Sequence, residues 1–485
     1  MLQLPMPVRG INLFTNLLKY VSLCFLLVIS ACSSYYQKNE KLMDAVYQNK
    51  FDVANKLLDN DKKWEKRSKN KLLFYLNKGT VLWMQGDYVN SNIYFRKADF
   101  FVEDFQKNYG LSFLSILVNP NVLTYPGEDY EQVLLHYYGA LNYLSLNQYD
   151  EALVEGKRML EKMDKNTDKY KSKNKFKRDA FAHNLLGIIY DAKGEYNDAF
   201  IAYRNAYEVY KEDYLKMLST PVPAQLKLDL LRTAYFSGFY DEVKNYEQEF
   251  NMVFDKNTSR KTSNVVFFWN NGLCPVKDQL SVNFAIIPYG GKSGWVEFVN
   301  LDLGFHFPFY LGDNQNKEKG LLDMKFVRIA LPKFISRQNY YTKANLISNQ
   351  GTYNFSLAED INAIAFRSLE DRLLKELGEA LLRVALKQFA VYEASQDKNN
   401  AGIALAASIY SALSEQADTR NWQLLPSAIS YTRLPMSEGK QTISFEAYTR
   451  NNEKGAAKTF DVDIKNGQTK ILMIQTPEFI GFSPK

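Results

Sequence analysis

Histidine and cysteine are scarce, with three of each in 485 residues. A metal centre needs several nitrogen or sulfur ligands at set spacings, so this chain is expected to hold neither metal nor cofactor. No apolar run reaches the ~20 residues that a membrane-spanning helix requires. Charge of one sign is not in excess either. The 60 basic and 54 acidic residues leave +6, too little to argue for a nucleic-acid-binding surface. Hydrolase signatures are missing too: the chain contains no Gly-x-Ser-x-Gly and no His-Glu-x-x-His. Gly291-Lys292-Ser293 ends like a phosphate loop, but Ile286 stands where its first glycine must be. Glu370 and Asp371 are consecutive on a helical pattern and face different sides, so they are no glycosidase pair. His136 and His183 fall on helical segments, and His306 sits among aromatics without a ligand-spaced partner. No catalytic residue is assigned, and an enzyme is not expected.

The chain does have an ordinary globular balance, with 46% hydrophobic and 24% charged residues. Its 33 tyrosines and 32 phenylalanines suit packed helices and strands. The length points to two or three domains.

The first 31 residues contain two bases, Arg9 and Lys19, and no acid. A short apolar run, Val21 to Ile29, leads into Ile29-Ser30-Ala31-Cys32. A basic region, an apolar region and small residues before a cleavage point describe a secretory signal. The cysteine after Ser-Ala resembles a bacterial lipobox. That resemblance implies acylation of Cys32 and removal of residues 1–31, which leaves 58 basic and 54 acidic residues. Two or three acyl chains anchor a protein stably. Ser33 and Ser34 follow, with no Asp beside the cysteine. By the usual sorting rule this points to the outer membrane, with the periplasmic face expected rather than the cell surface. Residues 32–40 read as a short tether. Cys274 has no partner for a disulfide within the mature chain and reads as a buried small hydrophobe.

Residues 41–255 carry a recurrent spacing. Gly187, Tyr190, Gly194, Tyr196, Ala199, Tyr203 and Ala206 match Gly79, Leu82, Gly86, Tyr88, Ser91, Phe95 and Ala98. This resembles the tetratricopeptide repeat, in which small residues allow two helices to cross closely. Gly187, Tyr196 and Ala199 are therefore expected to be structural. About ten helices in a continuous α-solenoid are expected, with insertions at 104–130 and 161–178. The second insertion is basic and holds Lys169, Tyr170, Lys173, Phe176 and Lys177. It is a candidate contact for a partner, although solvated helix ends are commonly this basic.

A polar linker at 255–263 precedes a mixed α+β domain, expected over 264–426. Strands are expected at 264–269, 281–287, 295–301, 324–331 and 339–348. Ser356-Leu-Ala-Glu359 fits a capping box for a long helix reaching about Glu393. A second, alanine-rich helix is expected over 401–417. Residues 427–485 read as a four-stranded antiparallel β module, with strands at 427–434, 442–448, 460–464 and 470–475. Asn466-Gly467 is expected to form a type I′ hairpin turn in it. Asp418, Arg420 and Trp422 fall at the junction between helix and module and are expected to be structural.

Three phrases in this half belong together: Asn271 to Lys277, Arg328 to Pro332, and Ala417 to Trp422 followed by Leu425-Pro426. They resemble a family of uncharacterised bacterial outer-membrane lipoproteins with a repeat-containing N-terminal half. Cys274 stands where that pattern implies a plain apolar residue. Some members lie near genes for lipoproteins that activate cell-wall synthases, which implies an envelope role. The expected function is a lipid-anchored adaptor whose repeat groove binds protein partners in envelope assembly or cell-wall synthesis. The alternatives are a peptidoglycan- or glycan-binding lipoprotein and an outer-membrane secretion or assembly factor. The expected partners are the membrane, through the lipid, and proteins, with peptidoglycan a further candidate and nucleic acid excluded.

Overall fold

The computed structural model describes residue 35 and residues 39–61, 65–66, 68–108, 120, 123–167, 178–255, 263–312, 315–395 and 416–480. Residues 1–31, Cys32, the insertion residues Lys169, Tyr170, Lys173, Phe176 and Lys177, the linker 256–262 and the alanine-rich segment 401–415 lie outside them. Among the described residues, no helix is long and apolar enough to cross a membrane.

A helical region comes first and a sheet-rich region follows. Its ten α-helices of eight residues or more, counted among the described residues, are α1 (Glu40–Tyr47), α2 (Phe51–Asn60), α3 (Lys71–Met84), α4 (Tyr88–Asn108), α5 (Asp129–Ser145), α6 (Tyr149–Thr167), α7 (Ala180–Lys193), α8 (Tyr196–Val209), α9 (Ala224–Phe236) and α10 (Tyr240–Phe250). Helices pack in consecutive pairs, α3 on α4, α5 on α6, α7 on α8 and α9 on α10, and each pair packs on the next. Small residues permit the close crossings. A Cβ on Gly187 would lie 2.4 Å from the Tyr203 ring, and one on Gly79 would lie 2.9 Å from the Phe95 ring. Asp179 caps α7 by accepting from the Ala182 N–H at 2.8 Å, and Gly194 ends it with a φ of 80°.

The sheet-rich region holds β1 (Ser263–Asn271), β2 (Val276–Pro288), β3 (Trp295–Asn300), β4 (Phe305–Tyr310), α11 (Gln315–Leu322), β5 (Phe326–Ile335), β6 (Gln338–Asn339), β7 (Tyr341–Ser348), β8 (Gly351–Asn354), β9 (Ser356–Asp360), α12 (Ile361–Ser395), β10 (Ala428–Met436), β11 (Gly439–Thr449), β12 (Lys454–Ile464), β13 (Thr469–Thr476) and β14 (Phe479–Ile480). Three four-stranded sheets have the orders β13-β1-β10-β9, β12-β11-β7-β8 and β4-β3-β2-β5. All their pairings are antiparallel except β1 with β13.

The strand β1 explains how the halves join. All nine of its residues are buried. Val265, Phe267 and Trp269 face a core shared with Leu346, Ile443 and Phe445 of the β12-β11-β7-β8 sheet, which makes a two-sheet sandwich. Val266 and Phe268 face the opposite way, into the core of the helical region. A strand buried on both faces reads as a near-continuous apolar run, and Val265–Trp269 is one, flanked by the buried polar residues Ser263, Asn264, Asn270 and Asn271. The third sheet forms a separate core with α11 and the distal half of α12, through Leu377, Leu381 and Val384. The proximal half of α12 packs in the helical core through Ile361, Ile364 and Leu369. This helix, about 50 Å long at 1.5 Å per residue, therefore ties two cores together.

Three expectations are corrected. The Ser356–Glu359 capping box is absent because those residues form β9, paired with β10; Asp360 caps the helix instead, accepting from the Ala363 N–H at 2.9 Å. The C-terminal strands do not form one sheet of their own. Pairing places β10 and β13 beside β1, and β11 beside β7, so residues 427–485 are shared between two sheets. Asn466-Gly467 makes no type I′ turn, which needs positive φ at both residues. Only Gly467 has it, and the turn carries the chain from one sheet to the other.

Candidate functional site

The polar chemistry of the described residues concentrates where the sheets meet the helices. The face formed by α5, α7 and α9 is covered by β13 and β10. Arg433 of β10 enters it fully buried. Its Nε donates to Asp229 Oδ1 at 2.7 Å, and one terminal nitrogen donates to Asp191 Oδ2 at 2.6 Å. Arg232 also pairs with Asp191, and Tyr431 donates to Asp229 at 3.3 Å. Farther along, Tyr210 donates to the Ala358 carbonyl at 2.6 Å, and Tyr137 donates to Asn270 Oδ1 at 2.8 Å. Glu359 and Asp179 both accept from Tyr214, and burial followed by their mutual repulsion pushes the Glu359 carboxyl far above its usual range. Breaking charge pairs of this kind leaves uncompensated buried charge, so the two regions are not easily parted.

A second cluster forms at the start of α5. Glu131 accepts from the Trp422 N–H at 2.6 Å, the Tyr125 hydroxyl at 2.8 Å and the Glu128 N–H at 3.1 Å. Burial, and then the neighbouring Glu128 charge, push the Glu131 carboxyl up to about 7. Burial opposes the Glu128 charge too, but Arg372 and Lys277, both paired with it, hold its carboxyl below the ordinary range. The Trp422 indole donates to Thr80 at 3.1 Å.

Arg420 lies beside this cluster. It pairs with Asp418 at 2.6 and 2.8 Å, and donates to the carbonyls of Lys69 at 2.9 Å, and Pro120 and Leu123 at 3.0 Å each. Its guanidinium stacks over Tyr125. Arg420 and Trp422 thus reach into the helical region, with Asp418 holding Arg420, rather than lining an open cleft. The phrase Asn271–Lys277 packs on the phrase Ala417–Pro426: the Cys274 N–H donates to the Leu425 carbonyl at 2.8 Å, and Asn421 donates to the Pro275 carbonyl at 2.9 Å. The phrase Arg328–Pro332 lies apart, on β5. The Cys274 thiol is fully buried, which pushes it up to about 12 and leaves it protonated at neutral pH.

The third cluster has the look of a catalytic site. His136 Nδ1 lies 2.6 Å from Glu155 Oε2, and its Nε2 lies 3.5 Å from Asp99 Oδ1. Arg158 and Lys162 also pair with Asp99, at 3.0 and 3.3 Å. The adjoining cavity is lined by Asn92, Arg96, Tyr143 and Arg158 among others, with no serine, threonine or cysteine. It has room for about one water, too little for a substrate. The arrangement locks α4, α5 and α6 together and offers no nucleophile. His183 is partly buried on α7, and His306 is exposed on β4, 3.3 Å from Glu297. No group of His, Cys, Asp and Glu among the described residues is placed to hold a metal.

Other predicted residues are placed plainly. Gly187 meets Tyr203 across the α7–α8 crossing, Ala199 is fully buried, and the Tyr196 ring packs 5.0 Å from Phe236. Of the basic insertion, Lys162, Lys165 and Arg178 are described, and each is ion-paired with acids. The sequence reading missed Arg433, Glu128, Glu131 and Arg337. Arg337 is buried and donates to the Cys274 and Gln423 carbonyls at 2.7 and 2.5 Å. A signal existed for Arg433 alone, as the one charge inside an otherwise buried-strand pattern.

No family model matches the chain, and no curated protein matches it. Several solved structures are similar to parts of it, two of them as follows. One is BtubC (BKLC) from P. vanneervenii, at 12% identity and a TM-score of 0.26, covering 46% of this chain and 87% of that one. The other is NprR in complex with its cognate peptide NprX, at 16% identity and a TM-score of 0.17, covering 49% of this chain and 73% of that one. Neither likeness extends to a shared overall fold.

Proposed function

We propose that the protein is a lipid-anchored adaptor of the bacterial cell envelope, held at the outer membrane through Cys32, and a member of the lipoprotein family its C-terminal phrases resemble. The observation that carries this reading is the N-terminal order of Arg9 and Lys19, the apolar run Val21–Ile29, and Ser30-Ala31-Cys32. The helical region is read as a tetratricopeptide-like solenoid. The close crossings of Gly187 with Tyr203 and Gly79 with Phe95 support that reading, as does the packing of successive helix pairs.

The inner helix face is covered by the protein's own sheet, so a protein partner engages the outer helices. Val89 and Phe100 of α4, Val154 of α6 and Ile201 of α8 are exposed there. Pull-down of the acylated protein from detergent-solubilised envelopes tests this. Capture of envelope-assembly or wall-synthesis proteins, lost on Phe100→Asp, is the expected result. Retention of peptidoglycan fragments without protein would favour the glycan-binding reading. Capture of exported chains in transit would favour the secretion reading.

A further inference from the structure

We infer that the protein lies flush on the bilayer, docked through the corner where its chain enters the folded body, around Tyr35, Lys71, Leu123 and Thr419. This rests on the lipid-anchor reading and adds to it an orientation and a docking face.

The argument starts from how little free chain separates lipid and body. Tyr35 follows Cys32 by three residues. It is only 5% exposed and lies in the helical core. Its N–H donates to Thr419 Oγ1 at 3.3 Å, its carbonyl accepts from the Asn39 N–H at 3.2 Å, and its hydroxyl accepts from Asn77 at 3.4 Å. Three extended residue steps span at most about 10 Å. A lipid seated in a bilayer therefore cannot hold this body at a distance, and the residues beside Tyr35 must lie against the headgroups.

The contacts of Tyr35 and Arg420 define that corner. Thr419 is bonded to the Tyr35 backbone, and its neighbour Arg420 reaches the carbonyls of Lys69, Pro120 and Leu123. Lys71 begins α3 two residues after Lys69, and both are partly exposed. The chain also re-enters the described body here, at Pro120 and at Gln416. The three-residue reach from Cys32 to Tyr35 makes a bilayer, rather than an aqueous protein partner, the occupant of this face. At the opposite end of the row of helix pairs stands α10, which the docking holds away from the lipid.

The test uses the full acylated chain in vesicles of phosphatidylethanolamine and phosphatidylglycerol that carry a headgroup quencher. A fluorophore is placed at Lys71→Cys, and in a second sample at Lys244→Cys on α10; the buried Cys274 is shielded from labelling. Gln416→Cys replaces the first variant if it folds poorly. The N-terminal peptide mass is read from the same samples. Acylated protein quenched several-fold more at position 71 or 416 than at 244 is the expected result. Acylated protein quenched equally at both ends, or more at 244, overturns the docking face and leaves the anchor standing. An unmodified Cys32 in membrane-associated protein overturns the anchor, and the docking face with it.

Discussion

Arg420 shows how one side chain can hold distant parts of a fold in place. It bonds Asp418 and three backbone carbonyls from the helical region. Arg420→Ala strands a carboxylate and three acceptors, at a cost of about 3–5 kcal/mol. The expected outcome is a lower unfolding temperature by calorimetry, with or without any added partner. Gly187→Ala makes a smaller defect. The new methyl meets the Tyr203 ring, and overpacking of this kind costs about 1–3 kcal/mol, measurable by urea titration.

Glu131 gives a pH dependence with a definite sign. Its folded carboxyl is pushed above the value of a free glutamate, so the folded state binds the proton more tightly than the unfolded chain. That contribution is fully present below about pH 4.5 and is lost as pH rises through about 7. Burial pushes Glu359, Asp179 and Asp229 in the same direction. Stability should therefore decline between pH 5 and pH 8, and Glu131→Gln should flatten the decline. An unchanged slope in the variant would remove Glu131 from the account. None of these carboxylates could be picked out from the sequence, because burial is the first cause of each shift and that burial comes from packing between elements distant in the chain, as where Trp422 meets Glu131 and Arg433 meets Asp229.

At the scale of elements, local pattern was a good guide wherever burial alone decided the outcome. The run Val265–Trp269 reads as a buried strand because both of its faces are covered. The helical character of the N-terminal region was legible because small residues and turn glycines such as Gly187 and Gly194 recur at helical spacing. Ser356–Glu359 misled because a capping-box pattern is a local signal, whereas β9 exists through its pairing with β10. The C-terminal strands were legible as strands, but their partners were not. The pairing of β13 with β1 joins residues about two hundred positions apart, and no short-range pattern encodes that. A consequence can be checked by proteolysis. Cleavage is expected in the linker 256–262 or the basic insertion. The nicked pieces should still elute together on gel filtration, because Phe268, Tyr431 and Arg433 are buried against the helices. Pieces that separate under native conditions would contradict the shared core.

For the whole molecule, the sandwich covers the inner face of the helices, and the outer helices and the Tyr35 corner are the surfaces proposed to meet other molecules. No direct sign of this arrangement is legible in the sequence, since a repeat pattern alone suggests an open groove. What the sequence does offer is the lipobox-like order ending at Cys32, on which the proposed function depends more than on any internal cluster. The most direct test is the intact mass of the protein recovered from the membrane fraction of a bacterium expressing the full chain, beside its Cys32→Ala variant. The account predicts a parent chain that begins at Cys32, carries diacylglycerol and stays with the outer membrane, and a variant that is released or left unprocessed. A parent chain that retains residues 1–31 or lacks lipid, and fractionates like the variant, would contradict it.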